Sequence, residues 1–433
     1  MNQSFDLDRF DKYSKDQWIK EVSKELDDVN PLEKLSWQFE KDLDVLPIYF
    51  QEDLKQSGIP GLSGKPSECM NLFWCKLPLK ERELEALQSI SEFYDGLYID
   101  NVRVSDQDNK LLEKIPTKQI VILSNENIAL VERLVSGNEE VRGNLGYQPF
   151  LFENYYKDSF EEEILAIHNR RSGELEKFSI ITIPGNQLIG HGASLIQELG
   201  VGLSILVECY DRLQSADISN MDIVREIDWV TSIGQDFFHE TAKLNAIQKL
   251  VMLVQQSFGF DPVGIKVHGQ SSFRYKTTLE DTNNIVRNTV EAAAAMIGGC
   301  QTMCMSAHNL GDPGFNGMRT ALNVGNILKK ESFLDRVNNP TSGAYYLEVL
   351  SDKIGSAAWS FFQEIEGQGG FSKAFQSGWI SSHIDQSRSS QMTMMSEGSL
   401  NLIGVNKYPT KKVGSSPDYN EAFRLAKKYE EEI

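Results

Sequence analysis

His268 and Gln270 are the side chains whose type and position most strongly predict chemistry. They come directly after Val263–Val267, a run in which apolar residues alternate with small or solvated ones, as they do in a β-strand. An imidazole titrates near neutral pH, and a carboxamide both donates and accepts hydrogen bonds. In a barrel of alternating strands and helices, the carboxyl ends of the strands line the site. We therefore predict that His268 and Gln270 face such a site.

Other residues with reactive side chains favour structural roles. His308 follows the last predicted strand and could face the same site, but a lone histidine is more often a hydrogen-bonded structural group than a ligand. Cys300 and Cys304 have a short spacing but no second pair of ligands, so the pattern does not favour a zinc site. His239 has no second histidine at the spacing of a zinc protease. The sequence therefore predicts no metal site.

Strand-like and helix-like segments alternate through the middle of the chain. This alternation is the rhythm of repeated βα units. Eight runs are predicted to form strands: Asn71–Cys75, Gly96–Asp100, Gln119–Leu123, Asn144–Tyr147, Phe178–Ile183, Asp228–Ile233, Val263–Val267 and Thr302–Met305. The predicted fold is therefore α/β, a (β/α)8 barrel of the TIM type with an N-terminal helical arm and a C-terminal helical extension.

The chain is predicted to divide into an arm, a barrel and a helical extension. Residues 1–50 form the arm, residues 51–330 form the barrel, and residues 331–433 form C-terminal helices and a tail that pack on the barrel. The arm carries Trp18 and Trp37, which would be poorly soluble on a free segment. The arm should therefore pack on its own barrel or on another chain, and we favour another chain.

The net charge and the cysteine content limit the possible partners and compartments. The formal net charge is −19, which would repel nucleic acid phosphates and anionic lipid surfaces. No apolar run approaches the ~18 residues needed to cross a bilayer, and the first residues lack a secretory pattern. The five cysteines are unevenly spaced and do not indicate a disulfide framework. We expect a cytoplasmic protein that binds neither nucleic acid nor membrane.

A long segment, Thr277–Ala292 with the following Gly298–Gln301, has the form of a family motif. Further segments occur in the family's order and at similar spacing: Phe237–Leu244, Asn339–Glu348, Gly367–Gly370 and Ile403–Tyr408. Together they resemble the cobalamin-dependent acyl-CoA mutases, specifically the methylmalonyl-CoA mutases. The regions around Trp18 and Leu46–Tyr49 resemble the opening of the family's small subunits.

The resemblance implies a cofactor that this sequence is not equipped to hold. Family members that bind cobalamin carry an Asp-x-His-x-x-Gly motif on a separate C-terminal domain, where the histidine ligates cobalt. This sequence lacks the motif, and only 25 of its 433 residues follow Tyr408, far fewer than a typical domain contains. We therefore expect this chain to bind no cofactor. Adenosylcobalamin would be held by a catalytic large subunit, its partner in a heterodimer.

The resemblance also identifies positions where the family's site residues have been replaced. In catalytic subunits, an adjacent tyrosine and histidine after the fifth barrel strand contact the acyl group; Asn186 and Gln187 stand at that place here. Neither amide titrates near neutral pH. The Tyr-Thr-Arg-Gly-Pro motif that guides pantetheine through the barrel is replaced by Gly58–Pro66, and a further family arginine falls on Glu226.

Asn186, Gln187, His268 and Gln270 are therefore predicted to form a vestigial pocket, in which the last two match the family's His-x-Gln pair. The favoured function is that of a non-catalytic small subunit in a heterodimeric methylmalonyl-CoA mutase of propionate metabolism. The large subunit would convert methylmalonyl-CoA to succinyl-CoA, and this chain would have a structural role. One alternative is the barrel subunit of a split acyl-CoA mutase whose cobalamin comes on a separate chain. Another is a module that binds a different small ligand. A homodimer of the isolated chain stays open.

Overall fold

The structure is a computed structural model that describes the barrel strands and most of the helices around them. The described residues are 13–40, 43–54, 69–76, 91–100, 120–123, 141–148, 160–170, 176–216, 218, 220–310, 314–337, 339–409 and 423–431. The segment Gly58–Pro66, where the sequence predicts a replaced motif, lies outside the described residues.

Eight parallel strands form a closed barrel. An antiparallel hairpin of β1 (Trp37–Glu40) and β2 (Leu43–Val45) precedes them. The barrel strands are β3 (Met70–Lys76), β4 (Gly96–Asp100), β5 (Ile120–Leu123), β6 (Arg142–Tyr147), β7 (Phe178–Pro184), β8 (Ile227–Ile233), β9 (Lys266–Ser271) and β10 (Thr302–Cys304). Each pairs with the next, and β10 closes the barrel by pairing with both β9 and β3. The predicted (β/α)8 barrel is confirmed.

The seventh barrel strand lies further along the chain than predicted. The sequence pattern placed it at Val263–Val267, whereas β9 begins at Lys266 and ends at Ser271. His268 and Gln270 therefore lie within the strand and not after it. This corrects the prediction that both residues follow the end of a strand.

Side chains of a neighbouring helix prevent the segment before β9 from pairing as a strand. Gln255 Oε1 accepts the N–H of Gly264 at 3.2 Å, and Gln248 Oε1 accepts the N–H of Ile265 at 3.0 Å. Gly264 also has a φ of +74°, a conformation that strands do not use. Because these backbone groups are satisfied by side chains, the ladder begins only beyond them.

Helices surround the barrel and extend beyond it. Two belong to the N-terminal arm, α1 (Lys15–Leu26) and α2 (Pro31–Leu35). The others are α3 (Phe160–Arg170), α4 (Gly185–His191), α5 (Leu195–Ser215), α6 (Asn220–Arg225), α7 (Phe237–Ser257), α8 (Asn283–Ile297), α9 (Gly314–Lys330), α10 (Tyr345–Gly367), α11 (Phe371–Gln376), α12 (Trp379–Glu397) and α13 (Lys427–Glu431). No helix in the described part of the chain is long and apolar enough to span a membrane.

The main core lies between the barrel wall and the outer helices. Strands β7 and β8 are buried at every residue, as expected for parallel strands covered on both faces. Trp229 of β8 points outward against Gly202 of α5, where a Cβ atom would come within 2.3 Å of the indole. Helix α10 packs on both α5 and α7 and completes the outer layer on this side.

A buried ion pair joins the outer helices to the barrel wall. Nζ of Lys243 in α7 lies 3.1 Å from Oε2 of Glu198 in α5 and 2.6 Å from Oε2 of Glu240. It also donates to the carbonyl oxygen of Ser232 in β8 at 2.6 Å. Burial lowers the pKa of Lys243, but the two carboxylates outweigh burial, so the pKa is raised above its ordinary value. The charged ammonium thus links two helices to one strand.

The N-terminal arm begins with the predicted capping box. Ser14 Oγ accepts the N–H of Gln17 at 3.2 Å, and Gln17 Oε1 accepts the N–H of Ser14 at 2.8 Å. Helix α1 buries none of its residues. Its contact with another chain stays a prediction.

The hairpin of the arm packs on the chain's own helices, and the contact of the arm with another chain stays a prediction. The N–H of Leu195, at the start of α5, donates to Glu40 Oε1 at 2.9 Å. The ring of Trp37 meets that of His239 edge-on, with 5.0 Å between centroids. Glu40 satisfies a donor at a helix N-terminus that has no partner within the helix. This satisfaction holds β1 against α5.

The last described segment, Phe423–Glu431, lies across the loops at one end of the barrel; we call it the C-terminal strap. The N–H of Phe423 donates to the carbonyl oxygen of Gly190 in α4 at 2.7 Å. The N–H of Leu425 donates to the carbonyl oxygen of Arg274, in the loop after β9, at 3.0 Å. The strap therefore ties α4 to the loop that follows β9.

We predict that Lys243→Met lowers the free energy of unfolding by about 3–5 kcal/mol, because it leaves Glu198 buried without its cation. Lys249→Met is the matched control: Lys249 lies on the same helix as Lys243 but pairs with Asp352 of α10 at a partly exposed site, and its loss should cost less than about 1 kcal/mol. Urea unfolding of both variants would measure the difference. Equal losses would contradict a special role for Lys243.

Candidate functional site

Four polar side chains form a connected layer inside the barrel; we call it the polar layer. Ser179 of β7 donates to Asp228 Oδ2 of β8 at 2.5 Å. Nε2 of His268 in β9 lies 3.1 Å from the same carboxylate oxygen, and Nδ1 lies 3.0 Å from Oγ1 of Thr302 in β10. All four residues are buried. The polar layer therefore crosses four consecutive strands.

The polar layer lies near the amino ends of the strands. Gly269 faces helix α8, where its Cβ would touch Cys300 and Ala295, so the flanking His268 and Gln270 face the barrel interior. Thr302 is the first residue of β10 and is paired with His268. His268 thus points inward below the mouth of the barrel. Because each ring nitrogen has a hydrogen-bond partner on a neighbouring strand, the imidazole is held in the barrel wall.

Asp228 is held in its charged form by this arrangement. Burial raises the pKa of Asp228, but the hydrogen bond from His268, the charges of Lys266 and His268, and the hydrogen bond from Ser179 outweigh burial. The pKa therefore lies below the ordinary value. A carboxylate with a lowered pKa stabilises the fold at neutral pH and loses this contribution in acid.

Two pairs of carboxamides lie at the carboxyl ends of the strands, which form the mouth of the barrel. Asn186 Nδ2 donates to Gln270 Oε1 at 2.9 Å; we call these two residues the amide pair. Gln187 Nε2 donates to Gln148 Oε1 at 2.6 Å, just beyond β6. The structure therefore brings Asn186 and Gln270 together. Gln187 turns to a different partner, and His268 lies one layer deeper.

A glycine and an arginine position the helix that carries Asn186. Gly185 begins α4 directly after β7, and a Cβ there would lie 2.5 Å from Glu198 Oε1. At the other end of the helix, Arg274 Nη2 donates to the carbonyl oxygens of Ile189 and Ala193, each at 2.6 Å. The first bond adds to the one that Ile189 accepts from the N–H of Gly192, and together they hold the end of the helix against the loop after β9. Asn186 is thereby fixed against β9.

Two aromatic rings cover one side of the mouth; we call them the aromatic cover. The ring centroid of Trp74 in β3 lies 5.3 Å from that of Phe273, which follows β9. Strand β10 lies between β3 and β9, so this contact passes over its carboxyl end. Below it, an apolar cluster fills the interior between β3, β4 and β10: Met70, Leu72, Tyr98 and Cys304.

The other sequence candidates lie apart from the amide pair. His308 is in the loop after β10, where its carbonyl oxygen accepts a hydrogen bond from Asn284. Cys300 lies outside the barrel wall beside Gly269, whereas Cys304 faces the interior. In the described ranges, no three His, Cys, Asp or Glu side chains are grouped so that they could hold a metal ion. Glu226 is buried, with Oε1 3.2 Å from Nδ1 of His168.

Sequence reasoning missed Ser179, Asp228, Thr302 and Gln148. The first two offered a signal, because each is a polar residue in a strand that is buried at every position. A buried polar group needs a hydrogen-bond partner, so a serine and an aspartate in two neighbouring strands could have been expected to meet. Thr302 and Gln148 carry no comparable signal, since each stands at a strand end.

The comparisons with known proteins agree with this architecture. A family model described as methylmalonyl-CoA mutase matches residues 153–428, a range that includes the polar layer and the amide pair. The chain belongs to the methylmalonyl-CoA mutase family. The match reaches into the C-terminal strap, so the family's sequence pattern extends across the mouth of the barrel.

Individual relatives cover different shares of the chain. It is 27% identical over 454 residues to a methylmalonyl-CoA mutase of Cereibacter sphaeroides, covering 91% of this chain and 64% of that protein. It is 31% identical over 242 residues to a methylmalonyl-CoA mutase of Escherichia coli, covering 55% of this chain and 34% of that protein. A methylmalonyl-CoA mutase small subunit of Porphyromonas gingivalis is 24% identical over 437 residues, with 92% of this chain and 70% of that subunit covered. The chain thus spans less than two thirds of the first two relatives.

We predict that Asp228→Asn destabilises the protein at pH 7 by about 1–3 kcal/mol, because the charged acceptor of Ser179 and His268 is lost. The folded-state pKa of Asp228 is lowered, so its contribution is present above the ordinary value of 3.8 and disappears as the pH falls through the lower folded-state pKa. The difference between variant and parent should therefore shrink below about pH 4. Urea unfolding at several pH values measures it, with the exposed Asp261→Asn as control. A difference that does not change with pH would contradict this account.

Proposed function

We propose that this chain is the non-catalytic small subunit of a cytoplasmic, heterodimeric, adenosylcobalamin-dependent methylmalonyl-CoA mutase. The large subunit carries the conversion of methylmalonyl-CoA to succinyl-CoA, and this chain stabilises it. The observation that carries the proposal is the chemistry of the mouth, where the neutral amide pair stands above a histidine that is bonded at both ring nitrogens. The similarity to a protein named as a small subunit supports the assembly.

The described mouth offers poor groups for acid–base chemistry. A general acid or base must lie within hydrogen-bond reach of the reacting group and titrate near the working pH. The carboxamides of Asn186 and Gln270 do not titrate, and neither do those of Gln187 and Gln148. His268 would have to leave both Asp228 and Thr302 before it could act, which breaks the polar layer.

The filled interior also argues against a substrate that passes along the barrel axis. Trp74 and Tyr98 contact each other with ring centroids 5.5 Å apart, and Trp74 also meets Phe273. On the opposite side, the polar layer occupies the interior of β7 to β10. An acyl-CoA would have to displace both groups of side chains, at the cost of their packing and hydrogen bonds.

The histidines of this chain do not fit the family's way of holding cobalamin. The sequence has six histidines and no Asp-x-His-x-x-Gly motif. His268 is enclosed by the polar layer, and His239 is fully buried against Trp37. His168 lies on α3, 3.2 Å from Glu226. We therefore place adenosylcobalamin in the large subunit and derive no step through it here.

The C-terminal strap weighs against the split-mutase alternative. In that alternative, a separate cobalamin-binding chain would dock at the mouth of this barrel. The strap already lies across α4 and the loop after β9 through the hydrogen bonds of Phe423 and Leu425. Its Arg424 and Glu430 form a buried ion pair with 2.8 Å between Nη2 and Oε2. A docking chain would have to displace this segment.

The exposed apolar side chains of the arm provide a surface for the large subunit. Val29 is 97% exposed and Tyr13 is 64% exposed, and both flank helix α1. Leu35 and Trp37 are also partly exposed on the neighbouring segment. A group of exposed apolar side chains of this kind marks an interaction surface. We assign it to the heterodimer interface.

We expect the purified chain alone to show no isomerase activity with methylmalonyl-CoA and adenosylcobalamin, and the complex with a full-length large subunit to be active. Mass measurement in solution would show whether the isolated chain forms a homodimer. Activity of the chain alone would overturn the proposal. Activity gained from a short chain that carries only the Asp-x-His-x-x-Gly domain would support the split-mutase alternative instead.

We predict that Val29→Glu weakens binding to the large subunit by about tenfold or more, because a charge would be desolvated in an apolar interface. Val263→Glu is the matched control, since Val263 is also exposed, at 70%, but lies before β9 and away from the arm. Both affinities can be measured by titration of the labelled large subunit. Equal affinities for the two variants would contradict the assigned interface.

A further inference from the structure

The amide pair leaves two buried polar atoms without a partner. Asn186 Nδ2 and Gln270 Oε1 bond to each other, whereas Asn186 Oδ1 and Gln270 Nε2 have no hydrogen-bond partner in the structure. Gln270 is only 4% exposed. A buried polar atom without a partner costs about 1–3 kcal/mol. Such a cost at the mouth of a barrel points to a ligand that satisfies both atoms.

The unpaired atoms define the chemistry of that ligand. If both amides were turned around, Gln270 Nε2 would bond Asn186 Oδ1, and Asn186 Nδ2 and Gln270 Oε1 would be left. In either orientation the pair presents one N–H donor beside one carbonyl acceptor. The complementary group carries its own adjacent carbonyl oxygen and N–H. A carboxamide has this pattern, whereas a carboxylate and an ester lack the N–H donor.

The neighbouring groups favour an uncharged ligand. The second pair at this mouth, Gln187 and Gln148, is also neutral, and neither residue has a buried atom without a partner. Arg274, a cation in the loop after β9, directs Nη2 to two carbonyl oxygens of the segment that ends α4. Its Nη2 is therefore committed to the chain itself and is not offered to an anion.

The C-terminal strap is bonded to both elements that carry the amide pair. It bonds to Gly190, on the helix that carries Asn186, and to Arg274, in the loop that follows Gln270. It therefore holds together the two elements on which the pair stands. Glu430 holds the strap in place, because it accepts the N–H of Thr278 at 2.8 Å and forms an ion pair with Arg424.

We propose that Asn186 and Gln270 form a binding site for an uncharged carboxamide, which enters when the C-terminal strap is released. The donor of Gln270 binds the carbonyl oxygen of the ligand, and the N–H of the ligand binds Asn186. The site is independent of the proposed subunit role, since a subunit without catalysis can still bind a small ligand at its barrel.

The test uses the full chain and three small probes of similar shape: propionamide, propionate and methyl propionate. We expect ligand-observed NMR to show saturable binding of propionamide, with a dissociation constant of roughly millimolar order for so small a ligand. Propionate and methyl propionate should bind at least about tenfold more weakly, because they leave one atom of the pair unsatisfied. Equal binding of all three probes, or no saturable binding of propionamide, overturns the proposal.

Two variants test whether propionamide binding depends on the amide pair or on the neighbouring amides. Asn186→Leu keeps the side-chain size and should weaken propionamide binding by about tenfold or more. Gln187→Met removes the neighbouring amide and should leave the affinity unchanged. Thermal unfolding of each variant checks that it is folded. Loss of binding in both variants, or in neither, contradicts the assignment to Asn186 and Gln270.

A third variant tests the strap. Glu430→Ala removes both the acceptor for Thr278 and the partner of Arg424, so we expect propionamide to associate several-fold faster by NMR line-shape measurement. An unchanged association rate contradicts the role of the strap. If the complex with the large subunit assembles normally but propionamide does not bind, only this inference fails. If propionamide binds and no large subunit associates, only the subunit proposal fails.

Discussion

The buried carboxylate of Asp228 decides what the interior of this barrel can do. A charge in that position is stable only with donors around it, and the two neighbouring strands supply them through Ser179 and His268. The second ring nitrogen of His268 then faces Thr302 on the next strand. The carboxylate of Asp228 therefore holds the imidazole of His268 against the barrel wall. The barrel gains cohesion between four strands through these bonds.

The mouth of the barrel follows from the same constraint. With the histidine held below, the mouth is lined by carboxamides on one side and by the aromatic cover on the other. Carboxamides and aromatic rings can bind and orient a ligand, but they do not exchange protons near neutral pH. The family relationship accounts for the barrel fold, and the side chains at the mouth determine which chemistry the barrel can perform.

The sequence predicted the fold well because the βα alternation is a local pattern. Each strand-like run needs only its own residues to be recognised, and each of the eight runs overlaps a barrel strand, although the seventh does so only at Lys266 and Val267. The displacement of β9 could not be predicted, since Gln248 and Gln255, which hold the segment before it, act from another element. The hairpin of the arm is a similar case, because Glu40 caps a helix that begins far along the chain.

The candidate site was predicted only in part, for the same reason. Asn186 and Gln270 were found through residue type and family resemblance, and they meet in the fold. Their separation from Gln187 and His268 depends on strand register and on side-chain direction, which are properties of the closed barrel. The loop position predicted for His268 shows how a small shift in register changes the role of a residue. In a loop, the imidazole of His268 would be free of these partners. In the strand, it links neighbouring strands by hydrogen bonds.

The C-terminal strap has a consequence for the order of events during synthesis. Translation delivers all eight barrel strands before Phe423 leaves the ribosome, so the growing chain can complete its barrel while α4 and the loop after β9 are not yet tied together. The hydrogen bonds of Phe423 and Leu425 can therefore form only after the barrel strands have been synthesised. Asn186 and Gln270, with their unpaired atoms, are made well before the segment that ties their two elements together.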